Sequence, residues 1–139
     1  MIAAKDSIDM AIVTENIEAS LAFYRDALGL VSAGSISIPI GTLHRFRFGT
    51  SEIKLIEPRQ GAESVSGPGA TIDREPEKPG ERVGYRHMTF AVSGLSALCG
   101  ELAARKIRFA VAETEVRTGV RMAMAFDPDG NIVEFVEKA

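Results

Sequence analysis

The sequence predicts an α+β fold built from two copies of one βαβββ module. The main indication is a repeated motif, in which a short apolar strand runs into a helix at residues 8–28 and again at residues 87–106. Asp9 and His87 are 78 positions apart, and so are Ile17 and Leu95. Each copy ends on a matching strand of alternating polarity. A repeat of this kind predicts two similar modules packed into one fold.

Composition narrows the class of protein. A chain of 139 residues with 45% apolar and 25% charged residues is typical of a soluble globular domain with a real core. The net charge of −3 argues against a broad nucleic-acid surface. The single cysteine, Cys99, excludes an internal disulfide framework, and its helical position predicts a small core residue. Neither a signal peptide nor a membrane-spanning run is recognisable, so we expect a cytoplasmic protein without membrane or nucleic-acid partners.

Module one is predicted from its periodicity and its turn signals. A helix follows the N-cap residue Asn16, because apolar residues recur at helical spacing behind it, and it ends at Gly29. A turn at Gly49 joins the last two strands. The strands predicted for this module are residues 8–13, 35–40, 44–48 and 52–57.

Module two repeats the order of strand, helix and three strands. Its helix covers residues 95–106, and the turn signal at residues 127–131 joins the last two strands. The predicted strands are residues 86–92, 109–112, 119–126 and 132–137. The resulting organisation is a first module at residues 1–58, a linker or lid at 59–82 and a second module at 83–139, all within one structural domain.

Strand alternation predicts which residues line a pocket. Side chains two apart share a face of a strand, so Ile8, Met10 and Ile12 are expected to pack against the helix. By the same alternation, four side chains are expected to point away from the helices and into one concavity: Asp9, Lys54, His87 and Glu134. If the Gly49 turn pairs Phe48 with Ile53, Arg47 lies opposite Lys54 and Arg45 lies opposite Ile56.

Several segments together resemble the vicinal oxygen chelate superfamily, which comprises glyoxalase I, bleomycin-resistance proteins and extradiol dioxygenases. They are residues 16–20, 23–24, 28–30, 85–88, 127–131 and 133–135. The resemblance implies two βαβββ modules that form a concave, open-barrel-like mixed sheet with the helices on the outside. It also implies a homodimer. One fold of this kind hosts many reactions, so function depends on the site residues.

The resemblance further implies a divalent metal site in some members, with His and Glu ligands from each module. His87 and Glu134 match the ligands of module two, whereas Asp9 and Lys54 replace those of module one. A protonated lysine has no acceptor and repels a nearby cation. We therefore predict no cofactor and an Asp9–Lys54 salt bridge in place of the metal. A metal held by Asp9, His87 and Glu134 is the alternative.

The preferred hypothesis is a metal-independent, glyoxalase-like enzyme of lyase or isomerase type that acts on a small, oxygen-rich anionic substrate. In this hypothesis His87 is the general acid or base, Glu134 orients His87 or shares its proton, and Lys54 stabilises developing negative charge. Substrate is bound by Asp9, Arg45 and Arg47. Two alternatives stay open: a non-catalytic protein that binds an antibiotic-like small molecule, and the metal-dependent enzyme. An extradiol dioxygenase requires two histidines and a carboxylate at the metal, and only one histidine is predicted to reach the cavity.

Overall fold

The structure is a computed structural model that describes residues 4–59 and 87–139. These residues form two compact units, and each unit contains one βαβββ module with a four-stranded mixed sheet. The fold predicted from the sequence is thereby confirmed. The predicted linker at residues 59–82 lies outside the described residues except for Arg59, as does the predicted start of the second repeat at residues 85–86.

Module one contains four strands and one helical segment. The elements are β1 (Met10–Val13), α1 (Ile17–Leu21), a π-helical continuation (Ala22–Ala27), β2 (Val31–Ile38), β3 (Gly41–Phe48) and β4 (Ser51–Pro58). Asn16 caps α1 as predicted, since its side chain accepts a hydrogen bond from the Ala19 amide at 3.0 Å. The strand order is β1-β4-β3-β2, with β1 parallel to β4 and the other pairs antiparallel.

Module two has the same order with a regular helix. The elements are β5 (His87–Ala91), α2 (Leu95–Ala104), β6 (Phe109–Arg117), β7 (Val120–Phe126) and β8 (Ile132–Lys138), and the strand order is β5-β8-β7-β6. The turn between β7 and β8 is fixed by the buried Asp127, whose carboxylate accepts from the amides of Asp129 at 3.0 Å and Asn131 at 2.7 Å.

The core of each module follows the predicted alternation. Ile53 and Leu55 of β4 are buried, as are Val133 and Phe135 of β8, and the residues between them point away from the core. Ile8 is the exception: it was predicted to pack against the helix, but it precedes β1 and is 81% exposed. Cys99 is half-buried rather than a full core residue, and this burial raises the pKa of its thiol.

The outer strands differ most from the predicted boundaries. β2 begins at Val31 rather than residue 35, and β6 continues to Arg117 rather than ending at residue 112. Both strands lie at an edge of their sheet, both are mostly exposed, and both contain bulges that interrupt the pairing register. A strand with little burial on either face carries no alternating apolar signal, so its ends are not readable from sequence. No helix among the described residues is long and apolar enough to cross a membrane.

Candidate functional site

The register of module one differs from the predicted one by two residues. Arg45 lies opposite Lys54 and Arg47 lies opposite Glu52, because the hairpin pairs Phe48 with Ser51. The pairing of Phe48 with Ile53 was therefore wrong. A two-residue shift preserves the face on which each side chain lies, so both arginines still share the face of Lys54.

Asp9 is the most heavily hydrogen-bonded group on this face. Its Oδ2 accepts from Nζ of Lys54 at 3.0 Å, so the predicted ion pair is present. Its Oδ1 accepts from the Glu52 amide at 3.0 Å and from the ammonium of Lys5. The hydrogen bonds from Lys5, then Lys54, then the Glu52 amide hold the pKa of Asp9 well below its usual range. Both carboxylate oxygens are thus already occupied by donors.

Glu52 forms a second ion pair beside the first. Arg45 donates to it in a fork, from Nε to Oε2 at 3.0 Å and from Nη2 to Oε1 at 2.6 Å. This contact lowers the pKa of Glu52 and raises that of Arg45. Nζ of Lys54 lies 4.0 Å from Oε2 of Glu52 and so links the two pairs. We call this group the module-one charge cluster; it consists of Lys5, Asp9, Arg45, Glu52 and Lys54.

The charge cluster contains two residues that sequence reasoning missed. Glu52 lies two positions before Lys54 on the same strand, so alternation could have placed it on this face. Lys5 precedes every strand and helix of the module, and no periodic signal marks it. Together with the exposed Arg47, the cluster has four cations and two carboxylates, so the face keeps an excess of two positive charges.

Module two positions a histidine and a carboxylate together. Nε2 of His87 lies 3.3 Å from Oε2 of Glu134, and both side chains are about four-fifths buried, at 22% and 15% exposure. Thr89 lies opposite Glu134 in the parallel pairing of β5 with β8, and its hydroxyl donates to Oε2 of Glu134 at 2.6 Å. Thr89 was also missed, although it shares the face of His87 by alternation. The carboxylate is therefore held by two neighbours on β5.

The donor set of module one does not fit a divalent metal. A ligand must offer a lone pair, but Lys54 presents an ammonium at the position where the resemblance implies Glu or Gln. Asp9 would have to give up its hydrogen bonds to Lys54, Lys5 and the Glu52 amide before it could coordinate. Among the residues that the structure describes, no three His, Cys, Asp or Glu side chains converge as a metal site would require.

An open cavity among the described residues lies away from these side chains. It has a volume of about 320 Å³ and is at the end of β8 in module two. Its lining residues are Glu115, Gly119, Arg121, Glu137, Lys138 and Ala139. None of the predicted site residues lines it, and the expected concavity that gathers Asp9, Lys54, His87 and Glu134 stays a prediction.

Sequence comparison decides the family. The model of the Glyoxalase/Bleomycin resistance protein/Dioxygenase superfamily matches residues 7–135. The chain belongs to this superfamily. The match includes both βαβββ modules, in agreement with the resemblance drawn from the motifs. The comparison with curated proteins finds no match.

Several solved structures share the fold across nearly the whole chain. The protein SMU.1112c is 28% identical with a TM-score of 0.72, over 97% of this chain and 100% of that one. A lactoylglutathione lyase from Agrobacterium tumefaciens is 23% identical with a TM-score of 0.64, over 97% and 95% of the two chains. An antibiotic binding protein from Streptomyces is 14% identical with a TM-score of 0.71, over 99% and 100%. The last two similarities establish the fold alone.

Proposed function

We propose that this superfamily member is a metal-independent enzyme of lyase or isomerase type that acts on a small, oxygen-rich anionic substrate. The observation that carries the proposal is the His87–Glu134 contact at 3.3 Å, with Glu134 held in place by Thr89. A histidine paired with a carboxylate is suited to accept and return a proton near neutral pH, because the carboxylate stabilises the imidazolium that forms.

The proposed chemistry begins with a proton on a carbon next to a carbonyl group. His87 removes this proton, Glu134 stabilises the resulting imidazolium, and negative charge develops on the carbonyl oxygen. Lys54 stabilises that oxygen in place of a metal, and the remaining positive charge of module one, from Arg45 and Arg47, attracts the anionic substrate. Where the first carbon carries a hydroxyl group, return of the proton to the former carbonyl carbon, with transfer of the hydroxyl proton to the former carbonyl oxygen, completes an isomerisation. Where the next carbon carries a leaving group, its departure re-forms the carbonyl group and leaves a carbon–carbon double bond, which completes a lyase reaction.

Metal independence is supported by the chemistry of module one. Lys54 offers an ammonium without a lone pair, and both oxygens of Asp9 already accept hydrogen bonds that a cation would have to displace. His87 and Glu134 alone supply two ligands, which is fewer than the roughly three protein side chains that hold a catalytic Zn²⁺.

Proton abstraction can be tested before the substrate is known. We expect the native protein to accelerate the exchange of the C3 protons of 2-oxobutanoate with deuterium from solvent, followed by NMR. His87→Gln should reduce this exchange about 100-fold or more, the lower end of what a positioned acid–base group contributes. Glu134→Gln should reduce it less, and Glu101→Gln, a carboxylate change on the exposed side of α2, should leave it unchanged. Exchange that persists undiminished in His87→Gln would refute the catalytic role.

A binding protein is the second candidate. Its supporting observation is that the charged groups of the module-one cluster are satisfied by one another, which builds a fixed polar surface rather than a reactive group. The antibiotic binding protein from Streptomyces is a precedent for this role on the same fold. Thermal stabilisation by 2-oxobutanoate without any proton exchange would favour this candidate over the enzyme.

We also propose that the protein is a homodimer in the cytoplasm, as members of a family built from paired modules favour two-fold assembly. Light scattering at micromolar concentration should give the mass of two chains, and a monomer mass would exclude the dimer.

A further inference from the structure

Module one contains a second group of interacting polar side chains, on the face of the sheet opposite to the charge cluster. Ser35 of β2 lies opposite His44 of β3, and His44 lies opposite the buried Leu55 of β4. Glu57 is two residues further along β4 and therefore shares the face of Leu55. Ser35, His44 and Glu57 thus occupy three adjacent strands on one face, and Lys54 and Arg45 point the other way.

These three side chains form a continuous hydrogen-bonded chain. The hydroxyl of Ser35 lies 2.9 Å from Nδ1 of His44, and Nε2 of His44 lies 3.0 Å from Oε2 of Glu57. An ionised carboxylate can only accept, so Nε2 of His44 must carry its hydrogen toward Glu57. In the neutral ring Nδ1 then holds the lone pair, and the Ser35 hydroxyl donates to it. The hydroxyl proton is therefore directed at a base whose orientation is fixed by a carboxylate.

This order of groups is what activates a serine for attack. A serine hydroxyl is a weak nucleophile unless a base removes its proton as it reacts, and the base works best when a third group orients it. His44 is mostly buried, at 18% exposure, which restricts its ring to this position, whereas Ser35 is exposed and can be reached by a reagent. We propose that Ser35 is a base-activated nucleophile that accepts acyl groups from small activated esters.

The backbone around Ser35 leaves room for an acyl group. β2 is the outer strand of its sheet among the described residues, so alternate amides along it face away from β3 and can donate to a developing oxyanion. The strand bulges between Ser32 and Ser35. Gly34, within the bulge, carries no side chain, and apart from its chain neighbours no atom lies within 4 Å of the place that a Cβ would occupy. Ser35 itself is exposed, so a small ester can reach it.

The proposed step is an acyl transfer. Oγ of Ser35 attacks the carbonyl carbon of an aryl ester while its proton passes to Nδ1 of His44, and Glu57 stabilises the imidazolium through Nε2–H. The bond from the carbonyl carbon to the aryl oxygen then breaks, and His44 gives its proton to the departing phenolate, so that a phenol leaves and an ester on Ser35 remains. Water then attacks this ester and passes a proton to the neutral His44. The carboxylic acid leaves as His44 returns that proton to Oγ of Ser35, which regenerates the hydroxyl.

The chain provides a matched control in Ser37. It lies on the same strand and the same face, is exposed like Ser35, and is opposite Thr42 rather than a histidine. A fluorophosphonate probe reacts with activated serines by the same attack and is not released, so peptide mass spectrometry reports the rate at each serine. In the native protein we expect Ser35 to be labelled about 100-fold faster than Ser37, the lower end of what a positioned base contributes. Similar rates at the two serines would overturn the proposal without any variant.

Variants then test the relay. His44→Gln should slow labelling of Ser35 to the rate of Ser37, and Glu57→Gln should give an intermediate rate, because the base remains but loses its orienting partner. Hydrolysis of 4-nitrophenyl acetate should fall with labelling in the same variants and in Ser35→Ala, but not in Ser37→Ala. If His44→Gln retains its fold by circular dichroism and Ser35 is still labelled at the native rate, His44 is not the base. His87→Gln, which tests the proposed function, should leave labelling of Ser35 unchanged, so the two proposals fail separately.

Discussion

In module one the residues at the first and fourth strands, Asp9 and Lys54, form an ion pair, whereas in module two the corresponding residues, His87 and Glu134, form a histidine–carboxylate pair. Asp9 lies directly before β1, which pairs in parallel with β4, and His87 is the first residue of β5, which pairs in parallel with β8. The scaffold therefore brings together the same strand positions in both modules, and the residue types at those positions determine the chemistry.

The comparison shows why the site can diverge while the fold does not. In both modules the paired residues alternate with core residues: Leu55 follows Lys54, and Phe135 follows Glu134, each with 1% exposure or less. Substitution on the outward face leaves these core contacts in place, so one module can exchange ligand-type residues for an ion pair without repacking. The two faces of each sheet are, in this respect, independent.

The first prediction tests the shared scaffold and has the largest expected effect. Phe135→Ala should cost about 3–5 kcal/mol and Leu55→Ala about 2–5 kcal/mol of unfolding free energy, because each leaves a cavity in a packed core. Urea unfolding followed by circular dichroism measures both. Val13→Ala, at a residue that is 60% exposed on β1, is the control and should change stability by less than about 0.5 kcal/mol. A cost below about 1 kcal/mol at either core position would show that the two cores are not equivalent.

The second prediction concerns metal binding, where the modules differ most. We expect the native protein, purified without chelator or metal-affinity resin, to contain no stoichiometric divalent metal by elemental analysis, because Lys54 offers an ammonium where a ligand is needed. A double change that gives module one the usual ligands, Asp9→His with Lys54→Glu, should increase the affinity for Zn²⁺ in a titration. Near-stoichiometric zinc, nickel, iron or manganese in the native protein that is lost in His87→Ala would contradict this prediction.

The sequence predicted those features that alternation and turn chemistry control. The order of strands and helix along each module, the buried residues of β4 and β8 and the cap at Asn16 all follow from local patterns. The register of the hairpin between β3 and β4 does not follow from local patterns, because it depends on turn geometry. The tight turn at Gly49 and Thr50 pairs Phe48 with Ser51. The π-helical continuation of α1 was also not predicted, since the apolar spacing around it fits an ordinary helix.

The charge cluster was only partly predictable for a different reason. Asp9 and Lys54 were found because they occupy repeated positions, but the partners of a charged side chain depend on contacts between distant segments. Lys5 reaches Asp9 from outside any strand, and Glu52 reaches Arg45 across the hairpin. Neither contact has a periodic signature. The consequence is that the sequence predicted the net positive charge of the face and missed how that charge is neutralised locally.

The third prediction tests whether the excess positive charge of module one selects anions. 2-Oxobutanoate should raise the thermal unfolding temperature more than its neutral methyl ester does, and Lys54→Met should abolish this preference, since the ammonium of Lys54 lies between the two ion pairs, within 4.0 Å of both carboxylates of the cluster. Lys106→Met, after the end of α2, removes a lysine elsewhere and should leave the preference intact. If the ester stabilised the native protein more than the acid does, the excess positive charge of the cluster would not attract anions, and this prediction would be wrong.

The last prediction is the smallest and concerns stability in acid. The pKa of Asp9 is lowered by Lys5, Lys54 and the Glu52 amide, and that of Glu52 is lowered by Arg45. A carboxyl group whose pKa is lower in the folded state stabilises the fold above its unfolded pKa, and this stabilisation is lost as the pH falls toward the folded value. The pairs are partly exposed, so solvent screens them and the effect at each residue is small.

We expect Asp9→Asn and Glu52→Gln to lower the thermal unfolding temperature slightly at pH 7 and to flatten its decrease below about pH 4.5, so that the curves of variant and native protein converge in acid. Glu101→Gln, on the exposed side of α2, controls for the loss of a carboxylate and should follow the native curve. Only a difference between the folded and unfolded pKa of Asp9 can change the slope of its curve. Parallel curves for Asp9→Asn and the native protein down to pH 3 would therefore mean that the pKa of Asp9 is the same in both states.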